Sequence, residues 1–168
     1  MEELRSLLAS GHRQTLEFFF VHLQDVSEPD VDRQELIYNA SVLAHYAQVS
    51  TSSDTDLPAP ANLTQVFEQF VLDPAFANDG GVMETAGAQC LLLAGFFEDQ
   101  MRRRHNVRWY AELGAGFYQR AAANARGERS AQVMSGMARH FEAWRQRQSK
   151  LSRELRDQAY LLTPPRVM

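Results

Sequence analysis

The side chains with the most chemical reach in this chain are five histidines, one cysteine, three close carboxylate pairs and a run of arginines. The histidines are His12, His22, His45, His105 and His140. A helical di-iron centre needs carboxylates set against histidines in Glu-x-x-His order, and no histidine here has that arrangement. There is no HExxH, and a single cysteine excludes both CxxC and an intrachain disulfide. If a metal site is assembled from distant residues, His22 with His45 is the favoured pair, although a satisfied or surface histidine is the ordinary outcome for each. Cys90 lies in the apolar run "AQCLLLAG", where an inert buried thiol is expected. Asp30/Asp32 and Asp54/Asp56 fall in polar segments and read as solvated charges. Glu98 and Asp99 follow an apolar run and are better placed for general acid–base work. The arginines at 102–104 should lower their pKa values, which opposes an acid role. The expectation is a non-enzymatic protein with no catalytic residue, no cofactor and no metal.

The arginines are the stronger signal. Residues 1–99 hold 3 Arg against 16 Asp and Glu, a net of −13, while residues 100–168 carry +9. Such asymmetry hints at an interaction surface, unless the two halves fold together and cancel. In "GFFEDQMRRRHNVRWY", Arg102, Arg103, Arg104 and Arg108 flank the end of one helix and the start of the next. Cations at a helix C-terminus are favoured by the dipole, by about 0.3–1 kcal/mol each. Structure alone therefore explains part of the cluster. The expected partner surface joins these four residues to Arg145, Arg147, Leu151 and Leu155 of the last helix. It suits an acidic protein surface, including a second copy of the chain. A nucleic-acid-binding regulator is the alternative, with strong salt dependence as its signature. A small-ligand or metal-binding helical enzyme is the third reading. Trp109 and Tyr110 could stack on bases, but their spacing with Leu113 and Phe117 assigns them to the core. Arg outnumbers Lys 16 to 1, a bias that a GC-rich genome would also produce.

The elements that must hold these residues are all helical. Leu4, Leu7 and Leu8, then Leu16, Phe19, Phe20 and Leu23, mark a first helix over residues 1–24, interrupted at Gly11. Asp32 with Glu35 is a capping-box start for a second helix, with Leu36, Ile37, Ala40, Leu43, Ala44 and Ala47 on one face. Residues 50–61 read as a flexible linker, and 62–71 as a third helix. From Ala86 to Phe97 only Gln89 is strongly polar, so the helix from Met83 to Arg104 should be buried and central. Ala86, Cys90 and Ala94 form a small-residue ridge along it. Asn106 caps a fifth helix that carries Gly114 and Gly116. Met134, Met137, Phe141, Trp144, Gln148, Leu151 and Leu155 repeat every 3.5 residues. They predict one long helix over about 130–160, with "RQRQSKLSRELRD" partly exposed. The fold class is all-α: a single-domain bundle of about six helices over residues 1–163, with a disordered tail at 164–168.

Residues 90–122, "CLLLAGFFEDQMRRRHNVRWYAELGAGFYQRAA", resemble a family of small proteobacterial helical proteins without established activity. That pattern runs from an apolar stretch to Gly-Phe-Phe, a basic turn, an aromatic pair, Leu-Gly and a Tyr four residues after that Gly. Here these are Gly95-Phe96-Phe97, Arg102–Arg104, Trp109-Tyr110, Leu113-Gly114 and Tyr118. The stretch "ELIYNASVLAHYA" at 35–47 is a weaker second match. Glu98 stands where the family pattern often has Pro. The resemblance implies a bacterial, soluble, all-α protein and assigns no catalytic residue. The acidic start "MEELRSLLAS" lacks a signal pattern, and the longest apolar run is about 12 residues, short of a bilayer span. A cytoplasmic protein without a membrane partner is expected.

Overall fold

In the computed structural model, which describes residues 12–51, 80–102 and 106–155, the chain is an all-α, single-domain bundle. The described helices are α1 (His12–Asp25), α2 (Arg33–Thr51), α3 (Gly80–Ala94), the single turn α4 (Glu98–Met101), α5 (Val107–Ala123), α6 (Glu128–Arg139) and α7 (Phe141–Glu154). Five expectations lie outside the described residues. They are the start of the first helix with Gly11, most of the 50–61 linker, the helix at 62–71, the end of the last helix and the 164–168 tail.

The helix starts follow local chemistry. Asp32 Oδ1 accepts from the Glu35 amide at 3.0 Å, and Asn106 Oδ1 accepts from the Trp109 amide at 3.1 Å. Each carboxyl or carboxamide oxygen satisfies an N–H that the first helical turn leaves without a partner. The capping box at α2 is only half formed, because the Glu35 side chain turns inward instead of back to its own N-terminus.

As its composition requires, α3 is the buried centre. Met83, Ala86, Cys90 and every residue from Leu91 to Phe97 are buried. The helix does not run on to Arg104. After Ala94 the ladder slips, with Phe97 N–H donating to Leu92 O at 2.9 Å and Glu98 N–H to Gly95 O at 3.1 Å. The slip lets two consecutive rings, Phe96 and Phe97, both turn inward, edge to face at 5.1 Å. A regular helix would separate them by about 100° around its axis.

The most extensive helix–helix interface is that of α3 with α5. Its closeness rests on Gly114, where a Cβ would lie 2.7 Å from Cys90 Cβ and 2.6 Å from Phe141 Cζ. The small-residue ridge therefore does bring α5 close, as its spacing implied. Gly116, two residues on, faces nothing within 4 Å. The bundle closes as α5 packs on α6, α1 on α2, and α7 on α3, α5 and α1.

The predicted long last helix is two helices of 12 and 14 residues, broken at His140 with φ −104 and ψ 19. At 1.5 Å per residue each is about 20 Å long, so neither has to overhang the bundle. The 3.5-residue stripe still names the inward face on both sides of the break. Met134, Met137, Phe141, Trp144, Gln148, Leu151 and Leu155 are all buried. Two apolar assignments are reversed. Ile37 is 44% exposed and Trp109 is 43% exposed, each one helical step off the inward line that Leu36 and Tyr110 follow.

Candidate functional site

The sequence-predicted partner residues divide sharply. Arg103 and Arg104 lie outside the described residues. Arg102 is exposed and donates from Nη2 to Glu98 Oε1 at 2.7 Å. Arg108 is exposed and pairs with Glu112 at 3.4 Å. Arg145 lies between two carboxylates, Glu142 and, at 3.4 Å, Glu98, and also donates to Ala94 O at the end of α3. Arg147 pairs with Glu28 at 2.7 Å and lies 4.4 Å over the Trp144 ring. Arg153 reaches Asp99 at 3.4 Å.

Arg102, Arg145, Arg147 and Arg153 are thus met by carboxylates of the first 99 residues. The two oppositely charged halves cancel here by folding onto one another. Leu151 and Leu155 are corrected outright as partner contacts. They are 0% and 6% exposed because the apolar stripe of α7 turns them into the core.

The titration of these groups follows the geometry. Burial acts to raise the Glu98 carboxyl, but its contacts with Arg102, Ser149 and Arg145 outweigh that and hold it below the ordinary carboxylate value. Glu142 is lowered by its hydrogen bonds from Arg145, and Arg145 is raised by the same bonds. Glu28 is lowered by Arg147. Carboxylates held in the charged form by guanidinium groups are poor proton donors at neutral pH.

Three further cations of the second half are placed differently. Arg126 on the α5–α6 turn, Arg129 in the first turn of α6 and Arg139 in its last turn are exposed. Among the described residues none of the three has an ion pair. Glu128 is the one acid interspersed with them.

A second constellation was not foreseen. Glu35, 5% exposed, is reached by α6 and α7. Its Oε1 accepts from Trp144 Nε1 at 2.9 Å and lies 2.9 Å from His140 Nδ1. An indole N–H can only donate, so the carboxylate is the acceptor. Its Oε2 occupies the space beside Gly136, where a Cβ would come within 2.6 Å. One turn along α2, Asn39 Nδ2 donates to Met137 Sδ at 3.3 Å, and Asn39 Oδ1 accepts from Gln148 Nε2 at 2.9 Å. The signal for this cluster was present in the sequence. Glu35 and Asn39 are four residues apart, flank the inward Leu36/Ala40/Leu43 line, and sit opposite a stripe containing Gln148.

The remaining reactive groups are packed away. The Tyr38 and Tyr118 hydroxyls are 3.1 Å apart with their rings edge to face, and burial pushes both phenols up. Burial likewise raises the Cys90 thiol, which disfavours the thiolate a nucleophile needs. His22 Nδ1 lies 2.7 Å from Phe18 O and its ring lies on Phe18, so the His22–His45 pairing finds no support. Among the described residues no group of three or more His, Cys, Asp or Glu could hold a metal ion, and no helix is long and apolar enough to cross a membrane.

Compared with known proteins, the chain matches no family model, no curated protein and no solved structure. The family resemblance therefore rests on its motifs alone.

Proposed function

We propose that this protein is a non-enzymatic interaction module that docks on an acidic protein surface, either a partner or a second copy of itself. The observation that carries this reading is the trio Arg126, Arg129 and Arg139, exposed and without carboxylate partners among the described residues. The docking side moves from the Arg102–Arg104 turn to the α5–α6 turn and α6. An arginine already bonded to a carboxylate must break that bond before it can serve a partner, whereas an unpaired guanidinium offers its bidentate fork directly. Electrostatic docking of this kind chiefly raises the association rate and weakens with salt.

The test combines light scattering and affinity capture of partners at low and high salt. Arg126→Glu/Arg129→Glu/Arg139→Glu should abolish the association, and Arg147→Ala should leave it intact. Association unaffected by the triple reversal would refute the reading. A second reading, a nucleic-acid-binding regulator, draws support from Trp109, whose exposed ring beside Arg108 could stack on an unpaired base. A gel shift with single-stranded DNA that weakens in salt and is lost in Trp109→Ala would favour it over the first.

A further inference from the structure

We infer that the break between α6 and α7 is a latched hinge, held open by Glu35 and Asn39 of α2 against a local sequence that would form one continuous helix. Three observations carry this. First, the apolar stripe from Met134 to Leu155 keeps its spacing through the break, and no proline lies between Glu128 and Leu155. A stripe in register on both sides is what an unbroken helix would display. Sharp breaks in helices ordinarily have a local cause, such as a proline or a Gly/Ser pair; the pair present here, Ser135-Gly136, is itself helical and lies a full turn before the joint.

Second, His140 has φ −104 and ψ 19, the same helix-end conformation as Phe97, Asn124 and Leu155, yet α7 begins at the very next residue. The helical ladder stops and restarts at this residue, whose N–H donates to Gly136 O at 2.8 Å and whose carbonyl accepts from Trp144 N–H at 3.0 Å. The departure from helix is confined to a single joint.

Third, the polar contacts of α2 straddle that joint. Glu35 binds the joint residue His140 and, one turn into α7, Trp144, while its other oxygen lies against Gly136 of α6. Asn39 binds Met137 on the α6 side and Gln148 on the α7 side. Two side chains one turn apart on α2 thus each hold both arms of the hinge. Buried polar groups cost free energy unless satisfied, so the joint stays where the donors of Trp144, Asn39 and Gln148 all find acceptors, with Gln148 Oε1 left without a partner. The latch also sets where α6, with Arg129 and Arg139, stands relative to α7. The inference itself does not depend on the acidic-partner reading.

Spin labels at Gln132 and Lys150, both exposed, report the hinge. Cys90 is buried and out of reach of the label. A straight helix would set the two backbone positions about 27 Å apart. Wild type should give a shorter distance. Glu35→Ala/Asn39→Ala should lengthen it toward the straight-helix value, and Glu35→Gln, which keeps an oxygen acceptor, should restore the wild-type distance. If the double variant fails to fold, Gly136→Ala tests the same point, because its Cβ displaces the Glu35 carboxylate without deleting it. A folded variant of either kind with an unchanged distance, or a wild-type distance already at the straight-helix value, would overturn the inference.

Discussion

The two faces of α7 carry polar groups under opposite regimes. Facing inward, Trp144 and Gln148 meet Glu35 and Asn39 in a dry interior, donor to acceptor, with a single carboxylate among neutral partners. Facing outward, Arg145, Arg147 and Arg153 meet Glu142, Glu98, Glu28 and Asp99 at the edge of solvent. The inward contacts are few and geometrically unforgiving, because each group there loses water and has no second choice. The outward contacts are more numerous but individually weak, since water and salt compete for every charge. Charge-rich sequence draws the eye to the outer face. The inner face does more to fix the structure.

The sharpest way to break that contrast is Glu35→Ala. It leaves the Trp144 indole N–H without an acceptor in the interior and should cost about 3 kcal/mol in urea denaturation. A loss below about 1 kcal/mol would mean the inner face is no stiffer than the outer one. Next in size is Gly114→Ala, which would drive a methyl group against Phe141 of α7 and Cys90 of α3. About 2 kcal/mol of destabilisation is expected in thermal melts. Gly116→Ala supplies the control: with open space around it, only helix propensity acts, and stability should rise by about 0.5–1 kcal/mol.

On the outer face, Glu98→Gln should cost only about 0.5–1 kcal/mol at pH 7. The pH dependence has a definite sign. The folded carboxyl lies below its usual value of 4.5, so the unfolded chain binds the proton more readily. Its stabilisation is therefore complete above the unfolded value and is lost as pH falls through the folded one. Urea midpoints of wild type and Glu98→Gln should differ at pH 7 and converge in acid. Smallest of all is Arg153→Ala, whose pair with Asp99 is half exposed on both sides. Its melting temperature should match wild type within error, and a measurable drop would show that the outer ion pairs act together.

Much of the helical framework was legible because it is written in apolar spacing. Leu36, Ala40 and Leu43, the Ala86–Cys90–Ala94 ridge and the Met134–Leu155 stripe all mark inward faces in the structure. What spacing could not reveal was anything decided between helices. The break at His140 is invisible to a periodicity that continues through it. Glu35 carries a local meaning as a cap partner, and its actual acceptor role depends on residues more than a hundred positions away. The Arg102–Glu98 pair is local and legible, but Glu28, Glu98 and Asp99 become partners of Arg147, Arg145 and Arg153 only once the chain has folded. Spacing with Leu113 and Phe117 places both Trp109 and Tyr110 inside, although adjacent residues on a helix point about 100° apart and only Tyr110 is buried.

The two tryptophans end up in opposite surroundings, one indole at 43% exposure and the other at 0%, with its N–H bound to a buried carboxylate. The molecule thus contains a pair of optical probes that need no labelling. A dissolved collisional quencher such as iodide should extinguish emission from Trp109 while sparing Trp144. Red-edge light then reports the surface near the start of α5, and the shielded component reports the joint that α2 holds.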